Sequence, residues 1–414
     1  MFRHLYSVVH VLALPGLIWH VFRKYRREGH AAEIWARLIG RPPQVAPGGV
    51  WIHACSVGEA QVALTLARTL TDGASIPQIW FTSTTPSGLN RLKEQGAGRP
   101  LAVFPWDLPW VWTRWLRQTR PRACVVIETE LWPNLVAACH AQRIPVILAN
   151  GRLSARSMRG YQRWSWLTRP LWQQLSLTLM QGDADRVRAI ALGASPATSV
   201  VMGSIKLDQD APVADPETVA RLRHWAADRP VLSVISSHPT EEAQILEALG
   251  DRRHEWAIIL VPRHPSRAVA LSRDIEPLSV CLSEDSLPCA AIVIVDRFGL
   301  VGSVLAVTSV AVLGGTWIPH GGQNPVEIAR WRRPMIAGAH VFNFSDICAG
   351  LIEVGALIQS TLPCLASDAA RVQADAQDRG EAAFAWVAQQ SGATLRQAHA
   401  ITELLGQQDA REPA

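Results

Sequence analysis

Short runs of consecutive apolar residues recur along the chain, each followed by a polar loop and then by a stretch of helical periodicity. The first series is Val50 to His53, Gln78 to Phe81, Ala123 to Ile127, Val146 to Ala149, Leu177 to Met180 and Val200 to Met202. Unbroken apolarity, rather than alternation, predicts strands covered on both faces, as in a parallel sheet. Helical stretches such as Ala60 to Leu70 and Pro133 to Gln142 lie between most of them, and that alternation predicts a doubly wound α/β domain. Asp208 to Pro216 breaks the rhythm and reads as a linker. A second series follows with Val231 to Ile235, Ala257 to Val261, Ala291 to Val295, Val310 to Leu313 and Pro334 to Ala337. Two similar domains, 31–208 and 209–365, facing each other across a cleft are the implied architecture, with C-terminal helices over 366–414.

The N-terminus is patterned differently. Leu5 to Phe22 is mostly apolar for eighteen residues, within the ~17–25 that a spanning helix needs, although His10, Pro15 and His20 interrupt it. Arg23, Lys24, Arg26 and Arg27 follow while only Arg3 precedes, so the positive-inside rule predicts a retained anchor (residues 1–30 with its basic flank) and a cytoplasmic body. A helix lying in the membrane interface is the alternative.

In open parallel sheets, ligands bind beyond the carboxyl ends of the strands. In the first series those ends carry Cys55 to Glu59, Thr82 to Gly88, Glu128 to Asn134 and Asn150 to Ser154. Glu59, at a strand end and a helix start, is placed to take a proton from an attacking hydroxyl; Ser56 and Glu59 equally fit the S-x-x-E capping box. Glu128 and Glu130 could position a substrate hydroxyl or hold their own loop. Lys206 follows the last run of the first series, near the domain boundary, and in the second series Pro262-Arg263-His264 offers a guanidinium to phosphate. After Leu313 comes a long loop with Gly314, Gly315, Gly321 and Gly322, then Asn324-Pro325-Val326-Glu327, which reads as a helix cap and as an anion cradle.

Composition refines this picture in a few places. The chain has 414 residues, a formal net charge of +5 and 17 tryptophans against 3 tyrosines. Trp106, Trp110, Trp112 and Trp115 beside Arg114 and Arg117, and Trp164 and Trp166 beside Arg152, Arg156, Arg159 and Arg163, suggest a basic aromatic surface against anionic lipid. Seven cysteines without C-x-x-C spacing read as buried thiols. Asp183-Ala184-Asp185 opens a helix, where acidic residues are favoured anyway, and we discount it as a metal site. No H-E-x-x-H, Walker or dinucleotide fingerprint occurs, which removes support for zinc hydrolase, ATPase and dehydrogenase readings.

Taken in order, Ser56-Val57-Gly58-Glu59, Thr82 to Gly88, Glu128-Thr129-Glu130-Leu131-Trp132-Pro133-Asn134, Asn150 with Arg152-Leu153-Ser154, Pro262-Arg263-His264-Pro265 and Pro319 to Glu327 resemble the motifs of the Kdo transferases, which add 3-deoxy-D-manno-octulosonic acid (Kdo) to the lipid A precursor. The resemblance implies a GT-B fold of two Rossmann-like domains. It also implies CMP-Kdo as donor, the lipid A precursor as acceptor and a metal-independent inverting transfer at the cytoplasmic face of the inner membrane. No cofactor and no nucleic acid is implied. The family's base falls on Glu59, and Ser56, Gly58, Glu128, Glu130, Arg152 and Lys206 are the substrate-binding candidates. Its CMP contacts fall on Pro262, Arg263, Phe298, Gly299, Leu300, Asn324, Pro325, Val326 and Glu327. Where the family reads Asp-Thr-x-Gly-Glu, this chain has Asp296-Arg297-Phe298-Gly299-Leu300, so backbone contacts can remain but a carboxylate at 300 cannot. Ser204 and Pro239 also depart from the pattern. A GT-B transferase using another nucleotide sugar, or an inactive lipid-binding homologue, are the competing readings.

Overall fold

The computed structural model describes residues 2–27, 31–73, 76, 78–275, 279–284, 286–288 and 292–410. The chain divides into two compact units, Met1–Asp208 with Ser391–Ala414, and Gln209–Gln390.

In the first unit the strands are β1 (Val50–Ala54), β2 (Ile79–Ser83), β3 (Leu101–Val103), β4 (Ala123–Ile127), β5 (Val146–Gly151), β6 (Leu177–Met180) and β7 (Ser199–Val201). They form one parallel sheet in the order β3-β2-β1-β4-β5-β6-β7. Side chains alternate across it. Val50, Ile52 and Ala54 join the helices Val57–Gly73 and Ala393–Asp409 in one apolar cluster, whereas Trp51 turns to the other face among Trp80, Phe104, Trp112 and Trp115. Trp51 and its register partner Trp80 stack 5.0 Å apart with 4° between their planes.

That aromatic layer corrects one expectation. Trp106, Trp112 and Trp115, read as lipid-facing, are buried, and of the quartet only Trp110 is exposed, at 60%. The reason is helical phase: in the helix Pro109–Thr119, residues 111, 112, 115, 116 and 119 share the inner face, while Trp110, Arg114 and Arg117 lie outside it.

The N-terminal helix runs Phe2–Arg27. Leu14, Ile18 and Val21 pack with Leu38 on Trp106, Leu108 and Val111, and Leu5, Val8, Val9, Leu12 and Trp19 are exposed. Among the described residues its segment Leu5–Arg23 is the one helix long and apolar enough to cross a membrane. Arg3, Lys24, Arg26 and Arg27 lie outside the described side chains.

The second unit contains β8 (Val231–Ser237), β9 (Ala257–Pro262), β10 (Ser279–Cys281), β11 (Ile292–Ile294), β12 (Val310–Leu313), β13 (Met335–Ala337) and β14 (Leu357–Gln359). Their order is β10-β11-β9-β8-β12-β13-β14, again parallel throughout. The strands that the apolar pattern does not predict, β3, β10 and β14, are each three residues long and each at a sheet edge. A strand covered on one side and so short leaves no long apolar run to read.

The tail also differs from expectation. Helices Leu365–Ala374 and Ala376–Gln390 belong to the second unit, but Ala393–Asp409 returns to the first, where Ala398, Ile401 and Leu405 enter its core. The boundary falls at Asp208/Gln209, and the expected linker ends where Asp215 accepts from Thr218 N (2.9 Å) to cap the helix Pro216–Ala226. Of the cysteines, 124, 139, 281 and 348 are buried, Cys55 is half-buried and Cys364 exposed; Cys289 lies outside the described residues.

Candidate active site

Each sheet has a point where the chain, having built strands to one side, returns to build on the other. It lies between β1 and β4 in the first unit and between β8 and β12 in the second. Loops leaving such neighbours diverge and open a crevice at their carboxyl ends. Glu59, Glu128 and Glu130 follow β1 and β4, and Asn324 to Glu327 follow β12, whereas Arg152, Lys206, Arg263 and Phe298 to Leu300 follow other strands, β5, β7, β9 and β11.

At the first, the helix Val57–Gly73 starts directly after β1 and puts Glu59 in its first turn. Glu59 is 9% exposed and both its oxygens are engaged: Oε2 accepts from Cys55 N at 2.8 Å and Oε1 from Ser56 Oγ at 2.8 Å. Ser56 Oγ in turn accepts from Glu59 N at 3.3 Å, so a capping box is present, reaching one residue further back than the usual form. The cap does not exclude chemistry. Burial, with the negative charge of Glu128 next, pushes the Glu59 carboxyl up to about 7, where a base can be half ionised at neutral pH. Burial likewise pushes the neighbouring Cys55 thiol up to about 12, which keeps it protonated and rules it out as a thiolate nucleophile.

The second loop is a brace. Ser83 Oγ and Thr85 Oγ1 both donate to Cys55 O, at 3.1 and 2.5 Å, and Thr85 caps the helix Pro86–Gln95. A Cβ on Gly88 would stand 2.9 Å from that same carbonyl, so only glycine lets this helix approach the Glu59 loop so closely. Thr82 takes the Nε1 proton of Trp51 and bonds His53 Nδ1, and His53, buried and stacked on Phe104, is driven down to about 3 by burial. His53 is therefore a neutral core histidine.

After β4, Glu128 adopts φ +62° and its Oε1 lies 2.7 Å from Lys206 Nζ. Non-glycine residues are rarely left-handed, and the ion pair together with the bond Glu128 N to Ala149 O (2.9 Å) holds this one there. Burial raises the carboxyl of nearby Glu130. Asn150, also left-handed at φ +52° and fully buried, accepts from Ile205 N at 2.9 Å, which sets the turn bearing Lys206. Arg152 O accepts from Thr129 Oγ1 at 3.2 Å, tying the β4 and β5 loops. Asn134 is structural. Its Nδ2 donates to Asp107 O (2.7 Å), and Asp107, a buried carboxylate that the sequence did not single out, accepts from Asn134 N and Leu135 N and caps the helix Pro133–Ala141.

In the second unit the glycine-rich loop after β12 is occupied in an unexpected way. Its backbone donors Gly315 N, Thr316 N and Trp317 N, with His238 N, all point at the fully buried carboxylate of Glu241, at 2.8 to 3.1 Å. Gly314 is needed because a Cβ there would meet Ser236 O at 2.5 Å, so the close approach is to the end of β8 and not to a ligand. The first turn of the loop is thus an internal nest filled by a side chain.

A cluster of histidines and arginines lies next to it. His238 stacks on His320 at 3.8 Å and bonds Gln323 Nε2 through its own Nε2 at 2.9 Å. Burial first, then the charges of His320, His264, Arg263 and Arg267, hold the His238 imidazole down to about 4; burial and Arg263 lower His264 as well. Cations that depress one another mark a place where an anion would be welcome. Arg267 is paired to buried Glu242 at 3.0 Å, whereas Arg263, half-buried just after Pro262, makes no ion pair among the described residues. Asn324 Oδ1 accepts from Val326 N at 3.1 Å and Pro325 already has helical angles (φ −76°, ψ −16°), as the cap reading expects, with half-buried Glu327 in the first turn. Gly299, at φ +85°, and Leu300 lead into the helix Val301–Val307, and Phe298 is 75% exposed.

The arginine row is partly helical: Arg156, Arg159 and Arg163 lie exposed on the helix Ala155–Arg163, and Arg152 precedes it. Trp164 and Trp166 beside it are exposed. Asp185 accepts from Leu153 N at 2.8 Å and pairs with Arg188, an internal role; among the described residues no group of three metal-ligating side chains is assembled. Asp107, Glu241 and Arg267 are the site-shaping residues with no sequence signal of their own, since each acts on a segment distant in the chain.

A family model described as 3-Deoxy-D-manno-octulosonic-acid transferase (kdotransferase) matches residues 27–209. The chain is similar to the 3-deoxy-D-manno-octulosonic acid transferase of Bordetella pertussis, 34% identical over 96% of this chain and 99% of that protein. It is also similar to the protein of that name from Haemophilus influenzae, 32% identical over 84% of this chain and 83% of that one. Among solved structures, MurG of Acinetobacter baumannii matches with a TM-score of 0.53 at 12% identity, over 86% of this chain and all of MurG, a likeness of fold alone. With two seven-stranded parallel sheets, it gives the chain a GT-B fold.

Proposed function

Because the chain belongs to the Kdo transferase family and is a glycosyltransferase, we propose that it moves Kdo from CMP-Kdo to a lipid A precursor, the first unit serving the acceptor and the second the nucleotide. Glu59 carries the reading. It is a buried carboxylate, held by Cys55 N and Ser56 Oγ and raised to about 7 beside Glu128 and Glu130. In the proposed step Glu59 takes the proton of an acceptor hydroxyl, the oxygen forms its bond to the anomeric carbon of Kdo with inversion, and the bond from that carbon to the CMP phosphate oxygen breaks. The electron pair leaves on the phosphate. Arg263 is suited to that charge, and the helix start at Asn324 to Glu327 to the rest of the nucleotide. Glu128, Glu130, Arg152 and Lys206 would orient the acceptor. The test is incubation of the purified chain with a bisphosphorylated tetraacyl disaccharide and either CMP-Kdo or UDP-hexoses. Mass increments of Kdo from CMP-Kdo alone are expected, and transfer only from a UDP-sugar would overturn the donor.

We also propose an inner-membrane site with the catalytic units in the cytoplasm. The exposed apolar residues of Leu5–Arg23, together with exposed Trp110, Trp164 and Trp166 and exposed Arg156, Arg159 and Arg163, support it. The full chain is expected to sediment with vesicles containing anionic phospholipid, and removal of residues 1–27 together with Trp164→Ala and Trp166→Ala to release it. Equal sedimentation of both would defeat this placement.

A further inference from the structure

The last helix, Ala393–Asp409, reaches the acceptor end of the first unit through one side chain. Gln397 is fully buried. Its Oε1 accepts from Asn150 N at 2.8 Å and its Nε2 donates to Gly203 O at 3.1 Å. Those two backbone groups bracket the structure that presents the acceptor residues. Asn150, at the end of β5, holds Ile205 N through Oδ1 at 2.9 Å and is itself held at its carbonyl by Gln181 Nε2 at 3.0 Å. Gly203 opens the turn that continues into the 3-10 segment Ile205–Asp208, where Lys206 meets Glu128 at 2.7 Å. The same segment is fastened to the helix at its other end, since Asp208 accepts from Gly392 N (2.6 Å) and from Thr394 N and Oγ1 (2.5 and 2.6 Å).

We propose that Gln397 is a positioning residue for the Glu128–Lys206 pair, acting through Asn150 and the Gly203–Lys206 turn. The inference rests on the acceptor role given above to Glu128 and Lys206. Two features distinguish it from simple docking of a terminal helix. The apolar contacts of Ala398, Ile401 and Leu405 already attach the helix, so an amide in the same buried layer adds a costly group to desolvate unless its direction matters. Moreover, both atoms of that amide are matched to backbone groups of different segments, the end of β5 and the Gly203 turn, an arrangement that fixes the separation of those segments rather than merely satisfying the glutamine.

The experiment compares Gln397→Leu, which keeps the volume and removes both bonds, with Leu405→Ala, which weakens the attachment of the helix by a cavity alone. In transfer assays with the full chain, Gln397→Leu is expected to raise the acceptor KM about tenfold and leave the donor KM within about twofold, the size expected for losing one well-placed polar link. Leu405→Ala should lower the melting temperature with both KM values unchanged. In a Lys206→Ala background, Gln397→Leu should add less than about twofold, because the two substitutions interrupt one chain of contacts. Should Gln397→Leu not fold, Gln397→Asn, which shortens the reach by one carbon, supplies the same comparison. An acceptor KM unmoved by either variant, or effects of Gln397 and Lys206 that multiply, would overturn the proposal while leaving the acceptor reading intact. A Lys206→Ala chain with unchanged kinetics would overturn both.

Discussion

Glu59→Gln will reduce turnover about a thousandfold while donor affinity stays within about twofold of the parent, the loss typical of removing a general base. Glutamine retains the shape and can still accept from Cys55 N or Ser56 Oγ, so the helix start survives. What it lacks is an oxygen that can take up a proton. The parent rate should rise with pH through about 7 as Glu59 ionises, and that limb should vanish in the variant. Stability should move in the opposite sense. A carboxyl whose folded pKa is raised from 4.5 to about 7 favours folding at low pH, and that contribution is lost as pH climbs through the folded value. Glu59→Gln should therefore melt higher than the parent above pH 7, with the difference narrowing towards pH 4.5. A variant retaining more than a tenth of the activity would move the base elsewhere, with Glu128 and Glu130 the next carboxylates to examine.

Glu241→Ala should cost the second unit about 3–5 kcal/mol, the loss expected when a buried, hydrogen-bonded charge is deleted and its donors are left behind. Four backbone N–H groups, of His238, Gly315, Thr316 and Trp317, would be orphaned at once. Glu241→Gln keeps one accepting oxygen and should lose roughly half as much by the same reasoning. Chemical denaturation of parent and variant, compared by midpoint and slope, reads this. CMP affinity should fall with it, because the loop leads to His320 and Asn324. A change of less than about 1 kcal/mol in Glu241→Ala would show that water replaces the carboxylate in the nest.

The two predictions depend on different depths of the sequence. Glu59 was visible from position alone: a carboxylate three residues after Ser56, at the end of an apolar run, stands at a strand end whatever the rest of the chain does. The long central strands, from Val50–Ala54 to Val310–Leu313, were visible for the same local reason, since a strand buried on both faces must be apolar at every position. The capping of Asn324 on Val326 N was visible too. Of the three-residue edge strands, β7 was visible as the run Val200 to Met202, but β3, β10 and β14 were not, because pairing on one side asks little of composition.

What the tertiary structure decided is which of two local meanings applied. The tryptophans after 106 fit an interface and a core equally well by composition, and packing of one helix face put Trp112 and Trp115 against Trp51. The glycines at 314 and 315 fit a phosphate loop and a tight turn, and Glu241, more than seventy positions earlier, filled the turn. Gln397 is an ordinary helix residue until Asn150, 247 positions away, is brought beneath it. Local spacing determines strands, caps and the ends where chemistry can sit. Which buried polar group answers which backbone donor is settled only when the sheets close, because satisfying each donor is a requirement of the packed interior and leaves no periodic trace in the chain.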